Sequence, residues 1–156
     1  VALNLSHREI CMIGGKYLLN KGIKPFDRCL YSICELERIG ECPDVFGWSM
    51  SSTQLIEVKV SRNDFLKDKK KLWRSKPNLG LGDYRSYLCP EGLIKIDELP
   101  ENWGLIYVNS NKELSVIVKP IKQESNHSAN IAAICSLMRR EKIKSGLYSY
   151  KKYKNS

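Results

Sequence analysis

Three side chains in this sequence have the types and spacing to do chemistry together. Asp44 follows Pro43, twelve residues separate it from Glu57, and Lys59 stands two positions beyond. Side chains alternate along a strand, so in the stretch Gln54 to Val60 the residues Leu55, Glu57 and Lys59 point one way. Ile56, Val58 and Val60 then point the other way, into the core. Two charged groups on an otherwise apolar strand cost on the order of several kcal/mol unless they are paired or bind a metal. A hard cation such as Mg²⁺ or Mn²⁺ takes oxygen ligands, which Asp44 and Glu57 would supply. Such an ion polarises a phosphate and acidifies a bound water. Lys59 would orient or help deprotonate that water and offset charge on the reacting phosphorus centre. The set therefore suits phosphodiester hydrolysis. Spacing alone is unspecific, since Asp68-Lys69-Lys70 repeats it on what reads as a charged helix face; the strand setting distinguishes the first instance.

The elements that would position these residues can be read from periodicity. Ser6 and Glu9 have capping-box spacing, and Ile10, Ile13, Tyr17 and Leu18 recur at helical intervals, which predicts a helix over 7–20 stopped by Asn20-Lys21-Gly22. Strands are expected over 29–36, 42–48 and 54–60, with a polar turn at Ser49 to Ser52. Ser61 and Asp64 open a second helix to about Trp73, with Phe65, Leu66, Leu72 and Trp73 on one face. After a loop holding Pro77, Gly80 and Gly82, further strands are expected over 84–89, 104–109 and 114–119, then a helix over 128–144. This order predicts one mixed α/β domain over 1–145, a central mixed sheet flanked by helices, and a basic tail over 146–156.

Charge points to a polyanionic partner. Lys and Arg outnumber Asp and Glu by 26 to 17, giving a net charge of +9. Between Lys59 and Lys76 there are eight basic and two acidic residues beside the proposed centre. Ser61, Lys67, Lys70, Lys71 and Arg74 are the candidate nucleic-acid contacts there. Tyr84 and Arg85, at the end of the loop Asn78 to Arg85, could stack on a base or touch a phosphate from a flap over the substrate. Near the C-terminus, Arg139, Arg140, Lys142, Lys144, Lys151, Lys152 and Lys154 alternate with Tyr148, Tyr150 and Tyr153, a composition that suits either nucleic acid or a solvated tail. Six cysteines without a Cys-x-x-Cys pair read as reduced, mostly buried thiols of a cytoplasmic protein. No apolar run is long enough for a membrane span, and phosphate-loop, zinc-protease and serine-hydrolase motifs are absent.

On Cys42 to Gly47, Leu55 to Lys70, Tyr87 to Ile94 and Leu99 to Val108, the chain resembles PD-(D/E)XK nucleases, and more narrowly the MmcB-type proteins assigned to DNA repair. The resemblance spans roughly residues 6 to 120. It implies a restriction-endonuclease-like core of αβββαβ order with extra C-terminal strands and a helix. It also implies a metal held by Asp44, Glu57 and the backbone carbonyl of Val58, with Lys59 assisting the water. Relatives of the Holliday-junction resolvases add a Glu from the first helix, a position that Glu9 matches, although its capping box with Ser6 explains it equally; Glu35 and Glu37 are weaker substitutes. The loop from Asn78 is longer than the family's connection. The expectation is a Mg²⁺- or Mn²⁺-dependent DNA endonuclease acting in repair, recombination or phage DNA processing, with RNA left open as substrate and a homodimer as a further assembly. The alternative is a catalytically silent DNA-binding or scaffold module on the same fold.

Overall fold

The computed structural model describes residues 3–20 and 28–148. Its central strand is the one carrying the motif. β3 (Thr53–Val58) is buried at all six positions, including the polar Thr53, Gln54 and Glu57, because both sheet faces are covered. Around it lie β1 (Tyr31–Cys34), β2 (Val45–Trp48), β4 (Tyr84–Pro90), β5 (Gly104–Val108) and β6 (Leu114–Val118), in the spatial order β1 to β6. The β1–β2, β2–β3 and β5–β6 pairs are antiparallel, whereas β3–β4 and β4–β5 are parallel. The chain thus forms a mixed six-stranded sheet flanked by helices, as the order of elements implies.

One face carries α1 (His7–Asn20), which buries Ile10, Cys11, Gly14, Gly15 and Leu18. These pack with Val45, Ile56, Val58, Leu88 and Ile106. The approach is close: a Cβ on Gly15 would stand 2.8 Å from the Cys34 Sγ. The other face carries α2 (Arg62–Lys69) and α4 (His127–Arg140) through Phe65 and Ala133, which join Phe46, Leu55, Tyr87, Trp103 and Leu105. Ile56 and Val58 lie in the core as expected, on the side that α1 covers. Val60, expected in the core, lies past the strand end and is exposed.

The helix expected to run to Trp73 is broken. α2 ends at Lys69, Lys71 is extended, and a single turn, α3 (Leu72–Ser75), follows. In a continuous helix residues 68 and 74 would lie roughly 120° apart around the axis. The break lets Arg74 turn back onto Asp68 instead. The expected apolar face is corrected with it: Leu66 and Leu72 are exposed, and α2 buries Phe65 and Asp68.

The segment expected to form a flap is fastened down. A 3-10 turn at Pro77–Leu79 leads into fully buried Leu81. The Arg85 side chain donates to the carbonyls of Pro77, Gly80, Gly82 and Glu124. α4 starts with Asn126 accepting from the Ala129 N–H and stops at Arg140, four residues short of the expected end. The proposed stop at Lys21-Gly22 and the tail residues Tyr150 to Lys154 lie outside the described residues.

Candidate functional site

The centre forms where β3 ends. β2 runs antiparallel to β3 with Val45 opposite Ile56, so Asp44, one residue before β2, falls beside Glu57 and Val58. Its Oδ2 accepts a 2.8 Å hydrogen bond from the Val58 N–H. Glu57 and Lys59 point the same way, and the Lys59 Nζ donates to Glu57 Oε2 at 3.1 Å. The ammonium lies 3.8 Å from Asp44 Oδ2. The three residues picked from the motif are therefore in mutual reach, at the C-terminal end of the parallel strands, where open α/β sheets commonly place ligands.

Asp68, expected on a charged helix face, belongs to this centre as well. It is buried at 2 % exposure, and its Oδ1 lies 3.4 Å from Lys59 Nζ. The available signal was its spacing of three residues from Phe65, which puts both on the inner face of α2. Arg74 also turns inward. Its Nε and Nη2 donate to the two Asp68 oxygens at 2.7 and 3.1 Å, and its Nη1 donates to Glu41 Oε1 at 2.7 Å. Glu41 was not anticipated; its other oxygen accepts from the Leu81 N–H. Tyr87, opposite Glu57 on β4, donates its hydroxyl to Asp68 Oδ2 at 2.6 Å.

Burial and charge set the protonation of this cluster. Burial raises the Glu57 carboxyl to about 8, with Lys59 and Arg74 opposing and Asp44 and Asp68 adding to the rise. Burial by itself would depress Lys59, but Glu57, Asp68 and Asp44 outweigh it and raise the ammonium's pKa. Burial would raise Asp68, yet the hydrogen bonds and charge of Arg74, with Lys59 and Lys71, hold it well below the usual carboxylate range. Glu57 Oε1 is buried with no hydrogen-bond partner among the described residues, and the Arg74 Nη2 stands 3.6 Å off. Four carboxyl groups, those of Glu41, Asp44, Glu57 and Asp68, face three cations, Lys59, Lys71 and Arg74, so the formal charges balance while Glu57 keeps its proton and one negative charge is left over once it ionises.

A cleft of about 280 Å³ opens here, lined by Asp44, Glu57, Val58, Lys59, Asp68 and, from α1, His7. His7 Nε2 lies 3.3 Å from Asp44 Oδ1. Its ring also approaches Cys11 Sγ, 3.6 Å from Nδ1 and 3.9 Å from Nε2, so His7, Cys11 and Asp44 form a group compact enough for a metal ion. Glu9, the expected fourth ligand, is not among the cleft residues. Its carboxylate accepts from Ser6 N and Oγ, both at 2.8 Å, and that capping box lowers its pKa, backbone bond first. α1 reaches the cleft through His7 instead.

The expected nucleic-acid contacts divide by position. Lys67 and Lys71 line the cleft, and Lys71 also pairs with Asp68 at 2.8 Å. Lys70 is exposed next to them. The Ser61 Oγ is engaged as N-cap of α2, accepting from the Asp64 N–H and donating to its carboxylate. Arg74 and Arg85 are buried and cannot reach a ligand at the surface. Tyr84 pairs with Gln54 at the other end of β3, roughly 10 Å along the strand from Tyr87 at 3.3 Å per residue. The six cysteines are free; three are buried, Cys34 is half-buried, and Cys42 and Cys135 are exposed, fewer buried than expected. No helix among the described residues is long and apolar enough to cross a membrane.

No family model and no curated protein matches the chain. Among solved structures it is similar to the SPO1766 protein of unknown function from Silicibacter pomeroyi, at 20 % identity and a TM-score of 0.64, over 90 % of this chain and 89 % of that one. At that identity the likeness speaks for the fold.

Proposed function

We propose that the protein is a divalent-metal-dependent endonuclease acting on DNA, built on a PD-(D/E)XK, restriction-endonuclease-like core within one domain. The observation that carries this reading is Glu57: a carboxyl group on a central strand, buried, with one oxygen that accepts no hydrogen bond among the described residues, beside Asp44 and Lys59 in an open cleft. An oxygen-rich donor set that gains a negative charge when Glu57 gives up its proton fits a hard cation such as Mg²⁺ or Mn²⁺. Asp44 and Glu57 would hold that ion, with the Val58 backbone beside them. The bound ion would supply Lewis-acid stabilisation of the phosphate and an acidified water.

The chain's own residues do the rest. Val58 N–H fixes the Asp44 carboxylate, so its Oδ1 faces the cleft side on which His7 lies. Lys59 stays protonated among the acids and presents positive charge to the phosphate oxygens. Lys67, Lys70 and Lys71 hold the backbone of the polyanion at the rim. RNA as substrate, a homodimer, a role in repair, recombination or phage DNA processing, and a cytoplasmic setting extend the same reading.

A silent DNA-binding or scaffold module is the second reading. On its side is the ion-pairing of Lys59 with Glu57 and Asp68, which satisfies most of the charge internally. Cleavage of single-stranded, duplex, flapped and branched DNA with Mg²⁺ or Mn²⁺, against an EDTA control, separates the two. Cleavage that stops with EDTA and in a folded Lys59→Ala variant supports the enzyme. Cleavage undiminished in that variant removes the assignment, and metal-independent binding without cutting supports the module.

A further inference from the structure

We infer that Asp68 is a positioning residue for Lys59, anchored from behind by Arg74 and Tyr87. The inference rests on the nuclease reading for what Lys59 does; the contact between the two side chains stands independently of it.

A long, flexible lysine side chain does not hold one place by itself. Glu57, two residues away on the same chain segment, holds the ammonium from the strand side at 3.1 Å. Asp68 meets it from α2 at 3.4 Å, so the ammonium is caught between sheet and helix. The Asp68 carboxylate is itself held by several donors. Oδ2 accepts from Tyr87 Oη at 2.6 Å and Arg74 Nε at 2.7 Å, and Oδ1 accepts from Arg74 Nη2 at 3.1 Å. Glu41 fixes Arg74 in turn, and the Arg74 guanidinium lies 4.7 Å above the Trp103 ring centre. With three donors from Arg74 and Tyr87, Asp68 needs nothing from Lys59 to be satisfied as a buried acid. Its approach to Lys59 therefore serves the lysine. The break between α2 and α3 is what lets Arg74 reach Asp68.

The test is Asp68→Asn, which keeps size and removes charge, with Tyr87→Phe as a gentler variant that loosens the carboxylate's orientation. In ¹⁵N-lysine-labelled protein a buried, paired ammonium gives a protected proton–nitrogen signal, assigned to Lys59 by its loss in Lys59→Ala. Loss or large displacement of that signal in Asp68→Asn, and a smaller change in Tyr87→Phe, is the expected result. In cleavage assays kcat should fall about 10²-fold, the scale of a misplaced reacting group, with KM and Mn²⁺ affinity unchanged and cooperative melting retained. A Lys59 signal that stays in place in both variants overturns the inference, as does a kcat within threefold of wild type. Should the wild-type protein cleave nothing, the nuclease reading fails on its own, and the ammonium signal still decides the positioning. Should Asp68→Asn not fold, Tyr87→Phe decides by the same signal.

Discussion

Replacing Arg74 with alanine should be among the most damaging single changes in the protein, and the reason is electrostatic. The guanidinium makes hydrogen bonds of 2.7 and 3.1 Å to Asp68 and 2.7 Å to Glu41, and lies 3.6 Å from Glu57. All three acids are buried. Removing one member of a buried ion-paired group strands the remaining charge, at about 3–5 kcal/mol, and the lost stacking on Trp103 adds to this. At about 2–4 °C per kcal/mol for a chain of this size, the melting temperature should drop on the order of 10 °C. The pH dependence gives a second handle. In the wild type Arg74 holds the Asp68 pKa down, so that contribution is present at neutral pH and is lost as pH falls below the usual Asp value. In Arg74→Ala the stranded acids have raised pKa values and take up protons as pH falls. The stability gap between the two proteins should therefore narrow from pH 8 to pH 5. Urea unfolding at several pH values measures both quantities. A loss below about 1 kcal/mol at pH 7, or a gap that widens on acidification, would refute the reasoning, which takes its magnitude from the buried-pair rule.

Other expectations follow from the same geometry. Since the Glu57 carboxyl is raised to about 8, a cation must displace its proton, so Mn²⁺ affinity measured by calorimetry should rise about tenfold from pH 6 to pH 7 and flatten above pH 8; Glu57→Gln should weaken binding and abolish that slope. Lys67→Ala and Lys71→Ala should each reduce the salt slope of DNA binding by about one, with little preference for sequence, as read by fluorescence anisotropy across a salt series. Arg85→Ala should leave DNA affinity unchanged in the folded protein. It should still cost about 1–3 kcal/mol in urea unfolding, because it strands the buried carbonyls of Gly80 and Gly82 and frees the part-buried ones of Pro77 and Glu124.

Much of this molecule was legible in its sequence, because the cues were local. The Ser6–Glu9 box and apolar spacing marked α1 at its observed start, and alternation along Gln54 to Val60 put Glu57 and Lys59 on one side, as the 3.1 Å contact bears out. The pairing of Asp44 with that strand followed from a short antiparallel connection. Tertiary structure alone decided the second half of the site. Glu41 and Arg74 are 33 positions apart, and a lysine-rich helix hid both the break after Lys69 and the inward turn of Asp68. It also decided that Arg74 and Arg85 are buried and that His7, rather than Glu9, reaches the cleft. The physical reason is range: capping, alternation and turns depend on neighbours along the chain, whereas the burial of a charge depends on partners that only the packed sheet and helices bring together.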